Sequence, residues 1–144
     1  MARIKLTEQP SYGFRHSITL YPRDINYGGH LGNDSLVSLL GSARALMFHT
    51  MGFSEGNLGD GKTGIIMADL VVNFRSEAFI FDEIHIDSHI GEMRPSGFRI
   101  YQRVTRNGTI IALAETGTAA FDYVSRRIAH IPDEFLKALG QAGN

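Results

Sequence analysis

The residues most able to do chemistry lie together in Asp24-Ile25-Asn26-Tyr27-Gly28-Gly29-His30-Leu31-Gly32-Asn33-Asp34. An imidazole titrates near neutrality and can shuttle a proton, so His30 is a candidate acid or base. Asp24 and Asp34 carry carboxylates, and Asn26 can orient water or a carbonyl group but cannot take a proton as a general base. Gly28, Gly29 and Gly32 leave no Cβ in the way of a group approaching nearby backbone amides. Amides at a helix start, helped by the macrodipole, are suited to a carbonyl oxygen that becomes negative during reaction. Each residue also has a plainer role: the glycines can shape a turn, Asp24 can brace one, and Asp34 can cap a helix.

Two other patterns invite a chemical reading and fail on context. Gly56-Asn57-Leu58-Gly59-Asp60-Gly61-Lys62-Thr63 satisfies the phosphate-loop expression, but that loop needs a strand before it and a helix after it. Here a helical pattern precedes and a strand pattern follows. His85, Asp87 and His89 share one face of a strand, as metal ligands could. Their alternation with Ile84, Ile86 and Ile90 predicts the wet face of that strand, and no metal site is expected.

The elements that must position these residues follow from periodicity. Arg15 to Tyr21 alternates up to Pro22 and predicts a first strand. Leu36, Leu39, Leu40, Ala43, Leu46 and Met47 recur at helical spacing, with Ser35, Ser38, Ser42 and Arg44 opposite, which predicts one helix from Asn33 or Asp34 to about Thr50. A glycine-rich loop, Gly52 to Gly64, follows. The period then becomes two. Ile66, Ala68, Leu70, Val72 and Phe74 are expected to line one face of a long strand; Ile84, Ile86 and Ile90 mark the next, and Phe98, Ile100, Gln102 and Val104 the third. Asn107-Gly108 signals a hairpin. Ile110 to Val124 presents the small residues Ala112, Ala114, Thr116, Thr118 and Ala120, as a closely packed helix would require. A short helix is expected over Pro132 to Leu139. The mixed outer face at Met67, Asp69, Val71 and Asn73 suggests partial burial by a second subunit.

Composition bounds the rest. The 144 residues are 43% hydrophobic, enough for one core and one domain over 1–144. With 14 Lys and Arg against 15 Asp and Glu, net −1, there is no basic field for nucleic acid. No cysteine is present, which removes thiolate metal clusters and cysteine nucleophiles and fits a cytoplasmic protein. Nothing in the sequence is apolar for long enough to span a membrane, and the start, Met1 to Gln9, reads as flexible rather than as a secretory signal.

Residues 24–34 resemble the hotdog-fold acyl-CoA and acyl-carrier-protein thioesterases, the 4-hydroxybenzoyl-CoA thioesterase type in particular, whose pattern there is Asp-x-Asp-x-x-Gly-His-Val-x-Asn. Asn73-Phe74-Arg75-Ser76-Glu77-Ala78, leading to Asp82-Glu83-Ile84, is similar to a further family segment, and Arg94-Pro95-Ser96-Gly97-Phe98 is weakly similar to a segment beside coenzyme A. The resemblance implies an α+β hotdog fold, a five-stranded antiparallel sheet wrapped around one long helix, and hydrolysis of an acyl thioester in a homodimer or homotetramer. It implies His30 and Glu77 as catalytic residues, to which the residues themselves add Asn26 and Asp34, and the expected substrate contacts are Gly28, Gly29, Leu31, Arg94 and Ser96. No cofactor is implied beyond coenzyme A as part of the substrate. The sequence departs from the family at Asn26, where the hydroxybenzoyl-CoA type has its catalytic Asp, so the base must come from elsewhere. Asp34 is the nearest substitute and Glu77 the second. A dehydratase of the same fold and a binding protein without turnover are the alternatives.

Overall fold

The computed structural model describes residues 2–140, and the change of period from two to 3.6 and back again is visible in its elements. They run β1 (Phe14–Thr19), a 3-10 turn (Pro22–Asp24), α1 (Asn33–Thr50), β2 (Thr63–Phe74), β3 (Glu83–Arg94), β4 (Gly97–Arg106), β5 (Thr109–Asp122), β6 (Arg127–Ile128) and α2 (Asp133–Ala138). The strands form one sheet in the order β1-β3-β4-β5-β2, with β6 added to β5. β1 pairs antiparallel with β3, Ser17 opposite His85. Asn107 and Gly108, with φ of 49° and 79°, form the tight turn from β4 to β5 that their residue types predict.

The chain groups into two compact units, one of them built from the residues up to Arg44 with Val71–His89 and Tyr101–Glu115. In it, Leu36, Leu40 and Ala43 of α1 pack in a buried cluster with Ile84 and Ile86 of β3, Val104 of β4, and Ala112 and Ala114 of β5. The small alanines of β5 let the helix approach the sheet. Truncating a leucine in such a site to alanine costs about 2–5 kcal/mol. Gln102 is buried among these apolar groups, and its Nε2 donates to the Leu40 carbonyl at 3.0 Å and to Ser88 Oγ at 3.1 Å. The second unit is built from Ala45–Leu70, Ile90–Ile100 and the chain from Thr116 on. Its core is aromatic: the Phe135 ring lies 5.7, 5.2 and 5.5 Å from those of Phe48, Phe53 and Phe98.

Several expectations need correction. The first strand ends at Thr19 rather than Tyr21: Leu20 N still reaches the carbonyl of Asp82, next in register, but Asp82 N turns to the Phe79 carbonyl and the Leu20 carbonyl accepts from Phe81 N instead. In β2 only Ile66 and Val72 of the five expected inward residues are even half-buried; Ala68, Leu70 and Phe74 are exposed. β2 stands last in the strand order and has a neighbour on one side only. The last long strand stops at Asp122, and the chain turns there into the unexpected β6.

The start of the chain is pinned rather than loose. Leu6 N donates to Asn73 Oδ1 at 2.7 Å, Asn73 Nδ2 to the Ile4 carbonyl at 2.9 Å, and Arg75 Nη2 to the Leu6 carbonyl at 2.9 Å. Glu8 pairs with Arg103 Nη1 at 2.7 Å, and that guanidinium stacks over the Tyr12 ring. Asp87, expected on a wet face, is buried: Arg15 Nε reaches it at 2.6 Å and Arg103 Nη2 at 2.8 Å. Burial alone would raise the Asp87 pKa, but hydrogen bonds from the two guanidiniums outweigh it and hold the carboxyl below its ordinary range. Asp69 likewise pairs with Arg99 rather than standing open.

Candidate active site

The first unit holds the loop between the 3-10 turn and α1, and its backbone explains the residue types. The Asn26 carbonyl accepts from Gly29 N at 3.0 Å, while Asn26 N donates to the His30 carbonyl at 3.0 Å. This tight turn sets Gly29 at φ +81°, a conformation side chains rarely adopt. Asn26 Oδ1 accepts from Gly28 N at 2.9 Å. Gly32 N donates to the Asp24 carbonyl at 2.9 Å, and the Gly32 carbonyl accepts from Leu36 N, which starts the helix. Asp24 is the turn brace its type suggested, its Oδ2 accepting from Tyr21 N at 2.9 Å. All three glycine amides are thus engaged within the loop, and the role left to the glycines is spatial.

That spatial role can be measured. A Cβ on Gly28 would stand 3.0 Å from His30 Nε2 and 3.3 Å from Asn26 Oδ1; one on Gly32 would stand 2.8 Å from Asp34 Oδ1 and 3.4 Å from Asn26 Cβ. The glycines therefore leave room for three polar side chains, with Asn26 bordering both gaps, next to His30 at one and Asp34 at the other. His30 Nδ1–H donates to the Leu31 carbonyl at 3.1 Å. A carbonyl can only accept, so Nδ1 carries the proton, and the lone pair of the neutral ring is on Nε2. Nε2 lies 3.9 Å from Glu77 Oε1, with the two side chains 34% and 63% exposed, so the site is reachable from solvent. The segment carrying Glu77 is held to the loop through Leu31 N, which donates to the Ala78 carbonyl at 2.8 Å.

The structure therefore brings Asn26, His30 and Asp34 around Gly28 and Gly32, with Glu77 at the edge of His30. Leu31 turns its side chain into the core cluster. Arg94 and Ser96 belong to the second unit, where with Glu92, Phe98, Arg99 and Thr118 they line a cavity of about 460 Å³. In the first unit a cavity of about 360 Å³ is lined by Arg23, Ile25, Asn26, Tyr27, Asp34 and Ser35. Arg23, Ile25, Tyr27 and Ser35 were not singled out from sequence. Tyr27 stands inside the motif and is fully exposed, and an exposed aromatic between two site residues was the available signal.

The phosphate-loop lookalike is filled by its own side chains. Asn57 Oδ1 accepts from the amides of Gly59 and Gly61 at 2.9 and 3.0 Å. Asp60 Oδ1 accepts from Lys62 N and Thr63 N at 3.0 and 2.7 Å, and Asp60 Oδ2 from Thr63 Oγ1 at 2.7 Å. α1 precedes this loop and β2 follows it, the reverse of the order phosphate binding requires. Among the described residues no group of three or more His, Cys, Asp or Glu could hold a metal ion, and no helix is long and apolar enough to cross a membrane.

The profile of the thioesterase-like superfamily matches residues 20–139. The chain belongs to that superfamily. No match was found among curated proteins. Among solved structures the fold is similar to a 1,4-dihydroxy-2-naphthoyl-CoA thioesterase from Synechocystis, with TM-score 0.79 and 15% identity over 91% of this chain and 98% of that one. It is similar to a Staphylococcus aureus protein solved in complex with CoA, with TM-score 0.81 and 14% identity over 93% of this chain and 86% of that one. It is also similar to a gentisyl-coenzyme A thioesterase, with TM-score 0.76 and 17% identity over 87% of this chain and 98% of that one. The antiparallel sheet with a helix packed against it is the hotdog arrangement, and thioester hydrolysis is the activity that goes with this superfamily.

Proposed function

We propose that this thioesterase-like protein hydrolyses acyl-coenzyme A esters at the loop before α1. The observation that carries the assignment is the pair of glycine gaps, which set Asn26, His30 and Asp34 around one short turn. The thioester carbonyl lies against the first turn of α1. There Asn33 Oδ1 takes the Asp34 amide at 3.0 Å, which leaves the amides of Asn33 and Ser35 to meet the developing oxyanion. Water is the nucleophile, and Asp34 in the 360 Å³ cavity takes its proton. Asn26 holds its amide Nδ2 toward the reacting groups while its Oδ1 stays on Gly28 N. The proton that Asp34 takes from water passes on to the departing thiolate, while His30, with its Nε2 lone pair beside Glu77, orients the water. Attack on the carbonyl carbon breaks the C–S bond and yields free acid and coenzyme A.

Coenzyme A is favoured as the thiol by the CoA esters and bound CoA of similar structures. Arg94 and Ser96 are its proposed contacts, the cation suiting phosphate. The unit of function is one domain over 1–144 in a cytoplasmic homodimer or homotetramer. Exposed Met67, Leu70 and Phe74 on the end strand β2 support association. A second reading, binding of acyl-CoA without turnover, is favoured by Asn26 standing where a carboxylate is expected. Release of free thiol from a panel of aromatic and aliphatic acyl-CoA esters tests the activity: turnover of at least one is expected, and retained binding without turnover of any would establish the second reading. Light scattering is expected to show a dimer or larger; a stable, active monomer would exclude the assembly.

A further inference from the structure

We infer that Ser17, His85 and Glu83 form a second nucleophilic site, on the side of β1 and β3 opposite the apolar core, able to accept an acyl group from a small carboxylic ester. Ser17 and His85 are register partners across the two strands, and Ser17 Oγ lies 2.7 Å from His85 Nδ1. Glu83 Oε1 lies 3.7 Å from His85 Nε2. Glu83 and His85 are two apart on β3 and so share a face, while Ile84 and Ile86 on the alternate face are in the core. In the tautomer with its proton on Nε2, on the side of Glu83, His85 offers Nδ1 as the acceptor for the Ser17 hydroxyl. Nucleophile, base and orienting acid follow the logic of a serine hydrolase with the two ring nitrogens exchanged.

His85 borders a cleft of about 440 Å³ that Arg15, Arg103, Glu8, Thr105 and Asn107 also line; both guanidiniums there are paired with carboxylates, and the cleft shares no residue with the cavity at Asn26 and Asp34. Arg15 gives Nε and Nη2 to Asp87 at 2.6 and 3.1 Å. Arg103 gives Nε and Nη2 to Asp87 and Nη1 to Glu8. Arg15 Nη1 is the guanidinium donor left for an acid group on the substrate. β1 ends the strand order, so one row of its amides lies outside the ladder, where it can meet an oxyanion. In the reaction Ser17 Oγ attacks the ester carbonyl carbon, its proton passes to His85 Nδ1, and the C–O bond to the alcohol breaks as that alcohol takes the proton. Water then attacks the acyl-serine, and His85 removes its proton, releasing the acid and restoring Ser17.

A fluorophosphonate probe tests this on the full chain. Ser17 Oγ is expected to displace fluoride and form one adduct, located by peptide mass mapping. Ser17→Ala abolishes it, and His85→Gln slows it about 100-fold, in the range of a lost general base, with melting temperature unchanged in both. Arg15→Ala removes the preference for 4-acetoxybenzoate over phenyl acetate. No adduct on Ser17, or an equal rate in His85→Gln, would overturn the proposal. Thiol release from acyl-CoA is measured separately, so failure here leaves the thioesterase assignment standing.

Discussion

Gly28 and Gly29 are adjacent and chemically identical, yet the structure predicts opposite consequences for the same substitution. In Gly28→Ala the new methyl would stand 3.0 Å from His30 Nε2 and 3.3 Å from Asn26 Oδ1, against an ordinary contact of about 3.5–4 Å between carbon and neighbouring heavy atoms. The imidazole must yield by about half an ångström or more, which works against its 3.1 Å bond from Nδ1 to the Leu31 carbonyl. Gly28 is not among the glycines with positive φ, so the backbone itself accepts alanine. A catalytic group misplaced by about 1 Å loses about 10²-fold in rate, so a fall in kcat of about 10- to 100-fold is expected with little change in melting temperature. In Gly29→Ala nothing lies within 4 Å of the methyl, but φ is +81°. The left-handed conformation costs a side-chain-bearing residue about 1–2 kcal/mol, which lowers Tm by roughly 3–8 °C in a chain of this size with kcat changed only a few-fold. Thiol release and thermal denaturation on both variants read the two effects separately. A Gly28→Ala protein with wild-type kcat would refute the claim that the first glycine makes room for the catalytic pair.

Asp34→Asn is expected to lower turnover by about 10²–10⁴-fold with acyl-CoA affinity little changed, since asparagine keeps the preference for a helix start; full activity there with a dead Glu77→Gln would move the base to Glu77. Asn26→Asp restores the family acid and is expected to raise turnover, read by the same thiol assay; unchanged turnover would show that position 26 does not reach the attacking water. For Asp87, whose carboxyl is held below its ordinary range, the sign is that of a depressed acid. Its stabilisation is present above the unfolded carboxylate value of about 3.9 and is lost as pH falls through the lower folded value. Asp87→Asn is therefore expected to melt lower than wild type at neutral pH, with the gap closing in acid; a gap independent of pH in calorimetric melts would contradict the ion pair. Lys62→Ala is expected to leave thiol release within a few-fold and the chain without ATP affinity, because the amides of that loop are already taken; micromolar ATP binding lost in the variant would restore a nucleotide role.

The sequence by itself determined the elements that carry strong local signals. The helical spacing from Leu36 to Met47 gave α1 at Asn33–Thr50, since one apolar face seen at 3.6 residues per turn has no competing interpretation at that length. Asn107-Gly108 fixed its hairpin because few other residues take positive φ at both centres. The alanine row of β5 announced the helix lying on it. The glycines and His30 marked the loop where the catalytic candidates meet, since a turn and a titratable group are both local properties. What tertiary structure decided was everything that depends on which strand has neighbours and on what crosses a face. The inward row of β2 is largely exposed because that strand ends the order, and strand order is set by pairings between distant segments. Asp87 is buried and doubly paired because Arg15 comes from β1, Arg103 from β4 and Glu8 from the chain start. Those partners lie 72, 16 and 95 residues apart within their bonds, beyond the reach of any local pattern. The same holds for Ser17 and His85, 68 residues apart in sequence and 2.7 Å apart in space: periodicity placed each on a strand face, and only the antiparallel register of β1 on β3 made them partners.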